Sequence, residues 1–207
     1  ERAVRSEVRR GADVIKARLA FFGFDDPAAG PMETPAEFAA IINTAHRLHR
    51  RVATHSAGMS AANQIAIEAG TDSIEHGPLS DANIAAMAKR GTAYTPTLIT
   101  TKLAMESGKI PLPPDTYQRT LDSAAKAHKA GITILFGSDL PVAPIKDIPR
   151  EFVLMHDAGL TPAEALRTAT INAARALDRG DKLGTLEPGK YADVIALPGN
   201  PLEDLTQ

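Results

Sequence analysis

Short apolar runs alternate with longer stretches of helical period along most of the chain. The runs Ala12 to Leu19, Val52 to His55, Thr71 to His76, Thr92 to Leu98 and Ile132 to Phe136 are each short enough to be a strand. The intervening segments carry helix punctuation. Arg2 to Arg10 is predicted to be helical and stopped by Gly11. Thr34-Pro35-Ala36-Glu37 places a capping threonine, a proline at the first helical position and a glutamate three residues after the cap, predicting a helix to about Arg50. Further helices are expected over Ser60 to Ala69, from a cap at Ser80 to Gly91, from a loop containing Pro111, Pro113 and Pro114 to Gly131, and from Pro149 to near Gly159. Thr161-Pro162-Ala163-Glu164 repeats the capping box and opens an alanine-rich helix to about Leu177. The tail reads differently. Gly184 to Leu197 suggests two short strands around Glu187-Pro188-Gly189-Lys190, whose proline and glycine suit a type II turn.

Regular alternation of strand and helix implies an α/β fold with a parallel sheet and helical crossovers. Five strand–helix units are visible, whereas eight close a barrel. Five could also stand as an open, doubly wound sheet, but its ligands would gather at one switch point. The distribution of chemistry favours the barrel. Lys16, His55, His76 and Asp139 each lie at or near the end of a different apolar run. In a parallel barrel such positions face one mouth, so four residues distant in sequence would converge there.

Composition narrows what that mouth could hold. The 207 residues suffice for one domain with a sizeable core, and the net charge of -2 gives no basic field for nucleic acid. With no cysteine, disulfides and thiolate metal sites are excluded, leaving nitrogen and oxygen ligands for zinc, manganese or iron. No apolar run approaches the roughly 20 residues that span a bilayer. The opening ERAVRSEVRRG has no initiator methionine and no signal peptide, so the chain is expected to be part of something longer. A cytoplasmic location is the default expectation, with secretion left open.

Neutral imidazole and carboxylate are good donors to a divalent ion. Lysine is the odd member, because its ammonium cannot bind a cation. Reaction of its amine with carbon dioxide would give a carbamate able to bridge two ions, which together acidify a water and polarise a carbonyl. Asp139 would serve as both metal ligand and general base. Taken singly, each residue has a plainer reading: a hydrogen-bonded strand-end histidine, a lysine reaching solvent, an aspartate capping a turn. One shared site explains all four. His46, His49, His128 and His156 read as structural.

Six segments, VIK, THSAG followed by AIEAGTDSIEHG, YTPTL, ILFGSDLP, TPAEALRTATINAARAL and LGTLEPGKYADVIAL, resemble in their order the C-terminal part of an amidohydrolase-superfamily enzyme. The resemblance is to the imidazolonepropionase-like and Xaa-Pro dipeptidase-like branch and covers nearly the whole chain. It implies about strands four to eight of a (β/α)8 barrel over residues 1–180. Residues 181–207 would then be the C-terminal strands of a small β-sandwich. Carried over, Lys16 matches the N-carboxylated lysine ending strand four, His55 and His76 the metal-binding histidines after strands five and six, and Asp139 the ligand and general acid/base after strand eight. The run His55-Ser56-Ala57-Gly58 departs from the family's frequent His-Ala-His-Gly, and the His-x-His pair after strand one is absent from this sequence.

Two expectations follow from the resemblance. One is a metal-dependent hydrolase, with zinc as the default ion, cleaving an amide, peptide or cyclic-amide C–N bond in a small-molecule substrate. A missing N-terminal barrel segment or a homo-oligomeric partner would complete it. The other is a non-catalytic fragment or scaffold that retains metal ligands. Specificity is expected from the loops Phe21 to Met32 and Thr100 to Pro114, with Phe21, Phe22 and Phe24 as an apolar wall. No arginine stands out as a clamp for a substrate carboxylate.

Overall fold

A computed structural model describes residues 1–20, 30–110 and 112–207. Pro111 and the proposed phenylalanine wall lie outside the described residues. The order of elements is α1 (Arg2–Arg9), β1 (Val14–Arg18), α2 (Pro35–Arg47), β2 (Arg51–His55), α3 (Ser60–Ala69), β3 (Ser73–Glu75), α4 (Asp81–Arg90), β4 (Ala93–Thr95), α5 (Leu98–Ser107), α6 (Thr116–Lys129), α7 (Arg150–Asp157), α8 (Pro162–Ala169) and α9 (Ile171–Ala176). The strands pair in chain order β1-β2-β3-β4, all parallel. A doubly wound sheet would reverse direction at a switch point; none occurs among the described strands, whose arrangement is that of part of a barrel wall.

Local chemistry sets the helix starts as expected. Thr34 and Thr161 each accept a hydrogen bond from the backbone N–H of Glu37 and Glu164, and those glutamates accept one back from the threonine N–H at 2.9 and 2.8 Å. Two donors left over at each helix start are thereby satisfied reciprocally. Ser80 caps α4, and Gly70 and Gly91 end α3 and α4 in the left-handed conformation. The core lies between sheet and helices, with Ile15, Ala17, Val52 and Ile74 of the strands buried beside Phe38, Ile42, Ala66, Ile67 and Met87.

Five features depart from the sequence expectation. The third and fourth strands are three residues each, shorter than the expected Thr71–His76 and Thr92–Leu98. The fifth strand is reduced to a bridge between Tyr94 and Ile134, held by Tyr94 N–H to Thr133 O at 3.0 Å and Leu135 N–H to Tyr94 O at 2.9 Å. Part of the expected loop after Thr100 is instead helix α5, and the alanine-rich helix breaks at Thr170 into α8 and α9. Finally, the turn at Glu187–Lys190 forms, with Gly189 at φ 91° and Lys190 N–H bonded to Glu187 O, but the strands flanking it do not. Tyr191, Val194 and Ile195 are exposed, and no strand lies opposite them among the described residues. An extended segment becomes a strand only where a partner supplies the ladder.

The floor of the sheet, at the N-terminal ends of its strands, is laced by charge. Arg51 grips Asp178 with two bonds of 2.7 and 2.9 Å and Asp72 with one of 2.7 Å. Arg179 reaches Asp13 at 2.8 Å. The segment following α9 is thus fastened beneath β1 and β2.

Candidate active site

β1 exposes Lys16 and Arg18 on one face while burying Ile15 and Ala17 on the other, the alternation every strand imposes. Arg18 stands opposite His55 in the register of β1 and β2. His55 ends β2, and His76 follows β3 with a positive φ of 72°. Asp139, at φ 49°, sits on the loop that leaves the fifth strand position. The loop's approach is close: a Cβ on Gly137 would lie 2.5 Å from Thr95 Cγ2, so a larger residue requires Thr95 or the loop to shift.

All four sequence-predicted residues meet at this mouth. The His55 and His76 rings pack edge to face with centroids 4.8 Å apart, and His76 Nε2 lies 3.9 Å from Asp139 Oδ1. Lys16 acts electrostatically on both histidines and on Asp139, and its Nζ is 3.9 Å from Glu75 Oε2. Away from the mouth, His46 bonds Asp72 at the floor, and His156 bonds the Leu160 carbonyl.

The electrostatics keep the imidazoles neutral. Burial, then the neighbouring His76, Arg18 and Lys16, lowers the His55 pKa to about 4. Burial, then Lys16 and Arg18, lowers that of His76 to about 3. Neutral rings present the lone pairs that a divalent ion requires. Partial enclosure in the mouth also lowers the pKa of the half-exposed Lys16, opposed by Glu75 and Asp139. Two imidazoles and a carboxylate, with a lysine alongside, are therefore a donor set that fits such an ion in kind. In distance it is looser: among the described residues, no three histidine or carboxylate side chains are close enough to enclose an ion as they stand.

Sequence reading missed several members of this mouth. Glu75 is buried beside Lys16 and accepts a bond from Ser73 Oγ. Its signal was its place just before His76. Arg18 could have been found from Lys16 by the strand period of two; its charge reaches both imidazoles. Thr97 bonds His76, and Glu151 holds the start of α5 from another helix, a contact no local pattern announces.

Two cavities adjoin the site. One of about 530 Å³ follows the inner curve of the sheet past Lys16, Glu75, Thr95 and Asp139. A second, about 40 Å³, lies between His55, His76 and Asp139 on one side and Thr100, Thr101, Ala104, Ile110, Leu112 and Val142 on the other. The Thr100 and Thr101 hydroxyls donate to the Ser138 and Thr97 carbonyls, so this second wall is mainly apolar.

A partial parallel α/β barrel with histidines, a lysine and an aspartate at the C-terminal ends of its strands belongs to the class of barrels that carry their chemistry at that face. Within that class, the chain is a member of the amidohydrolase family, whose model matches residues 1–207. It is 34% identical over 215 residues to ochratoxinase of Aspergillus niger, covering 99% of this chain and 44% of the relative. It is 33% identical over 138 residues to imidazolonepropionase of Porphyromonas gingivalis, covering 65% of this chain and 30% of that enzyme. Among solved structures, a Xaa-Pro dipeptidase with methionine bound in its active site superposes with a TM-score of 0.88 at 33% identity, covering 99% of this chain and 53% of that one. The A. niger ochratoxinase structure gives 0.82 at 32% identity, covering 99% and 49%. The chain thus spans about half the length of these two structures. Among the described residues, no helix is long and apolar enough to cross a membrane.

Proposed function

We propose that this chain forms the C-terminal part of the catalytic domain of a metal-dependent hydrolase. Its reaction is cleavage of an amide, peptide or cyclic-amide C–N bond. The observation that carries the reading is the convergence of His55, His76 and Asp139 beside Lys16, with both imidazoles held neutral. His55, His76, Asp139 and an N-carboxylated Lys16 are the candidate ligands, and zinc is the first ion to test. When bound, a divalent ion supplies an acidified water and polarises the scissile carbonyl.

The chain's own residues supply the rest. Asp139 takes the proton of the attacking water and returns it to the leaving nitrogen. The apolar wall of the second cavity, at Ala104, Ile110, Leu112 and Val142, would face an uncharged part of the substrate. Glu75 makes Lys16 carboxylation and metal binding interdependent. As an ammonium, Lys16 faces the Glu75 carboxylate; as a carbamate it becomes a second anion there, and a divalent cation must offset the repulsion. The relatives named ochratoxinase and Xaa-Pro dipeptidase, which match nearly the whole chain, support a hydrolytic reaction.

Elemental analysis of the purified chain at neutral pH, with zinc and bicarbonate supplied, tests the proposal. At least one ion per chain is expected, lost in Lys16→Ala and Asp139→Ala. Metal uptake that ignores both substitutions would sink it. Absence of metal from the wild-type chain would favour the scaffold reading.

A further inference from the structure

Thr97 sits at the start of α5 in the left-handed conformation, φ 52° and ψ 53°, and is buried. A β-branched residue is among the least tolerant of that region, because its Cβ substituents crowd the backbone. Nor does its hydroxyl cap α5; the Leu98 and Ile99 N–H groups bond the Glu151 carboxylate instead, at 3.0 and 2.6 Å. The hydroxyl is engaged elsewhere. Thr97 Oγ1 donates to the Pro96 carbonyl at 2.7 Å and lies 3.0 Å from His76 Nδ1.

A hydroxyl has one hydrogen, and a carbonyl can only accept. The hydrogen of Thr97 is therefore committed to Pro96, and the contact with His76 requires the ring to donate from Nδ1. That places the Nδ1–H tautomer at His76 and leaves Nε2 as the bare nitrogen, on the side of Asp139 at 3.9 Å. The backbone fixes the same residue, since His76 N–H bonds the Thr95 carbonyl at 3.0 Å. We propose that Thr97 is a positioning residue, holding His76 in the Nδ1–H tautomer so that its Nε2 lone pair faces the reacting centre. Its use in metal binding rests on the hydrolase reading above, whereas the tautomer stands on hydrogen bonding alone. Second contacts of this kind commonly set the orientation of a ligand histidine.

The test is long-range proton–nitrogen NMR of the 15N-histidine-labelled, metal-free chain at neutral pH. Wild type should show His76 protonated at Nδ1 and bare at Nε2. Thr97→Val, which keeps the shape and loses the hydroxyl, should shift the ring toward the Nε2–H form; Thr97→Ser should restore the wild-type pattern. Zinc affinity should fall roughly 10- to 100-fold in Thr97→Val and recover in Thr97→Ser. Wild-type His76 carrying its proton on Nε2, or a valine variant that keeps the Nδ1–H form, would overturn the assignment. The wild-type spectrum alone can overturn the assignment even if a variant fails to fold. A wild-type chain with the expected tautomer and no zinc affinity would count against the hydrolase reading and leave the Thr97 assignment standing.

Discussion

Glu151 is a carboxylate buried within the protein, and Glu151→Gln is the perturbation that most directly exposes its cost. Its two oxygens accept from the Leu98 and Ile99 N–H groups, which favours the ionised form, but burial outweighs them and raises the pKa to about 7 from 4.5. The sign follows from proton binding. The folded chain holds the Glu151 proton more tightly than the unfolded chain, so this group's stabilisation is complete below the unfolded pKa of 4.5 and is lost as pH rises through about 7. A rise of that size corresponds to about 3 kcal/mol between the two ends of the window. Glutamine resembles the protonated acid in shape and cannot ionise. Urea unfolding of both chains from pH 4.5 to 8 should therefore show the variant gaining on wild type by about 3 kcal/mol as pH rises. Contributions of His55 and His76, which also vary over this range, are common to both chains and cancel in the difference. A difference independent of pH, or one moving in favour of wild type, would refute the reasoning. The first outcome would mean that the two backbone N–H groups balance desolvation, the second that they outweigh it.

Two further expectations concern the mouth. Gly137→Ala places a methyl 2.5 Å from the buried Thr95 side chain, so Thr95 or the loop bearing Asp139 must shift; about 1–3 kcal/mol of stability should be lost, together with zinc affinity where the loop gives way. Wild-type stability with unchanged metal binding would contradict the packing. The His55 and His76 pKa values of about 4 and 3 lie below the ordinary 6.5, so stability from these rings is present above 6.5 and lost as pH falls through 4 and 3. The same shift predicts that proton competition at these rings leaves zinc affinity little changed between pH 7 and 5.5. Titration of either ring near pH 6.5 by NMR would contradict it.

Legibility followed the range of the interactions. The starts of α2 and α8 were readable because the Thr34–Glu37 and Thr161–Glu164 capping boxes act over three residues and need nothing from the rest of the molecule. Lys16, His55, His76 and Asp139 were readable because a parallel α/β arrangement converts strand ends into neighbours. α5 was not. Its sequence begins with the β-branched run around Thr97, and its first N–H groups depend on Glu151, more than fifty residues onward. Glu75 and Arg18 were obscured in another way, since an acid and a base in short strands read as solvated until the curvature of the sheet shows which face is enclosed. The strands expected in the tail failed for want of a partner, a property no single segment encodes.

The strictly sequential pairing of β1, β2, β3 and β4 bears on how the molecule comes to exist as well as on where its site lies. Each strand finds its neighbour across one helical crossover, so every new pairing closes a short loop, and the sheet can lengthen in the order in which the ribosome delivers it. Among the described residues, far longer spans belong to the bonds from Asp178 and Arg179 back to Arg51 and Asp13, which cross 127 and 166 residues. These close only after α9 and the residues just beyond it have been made. They are a latch, set once the wall above them has already been laid.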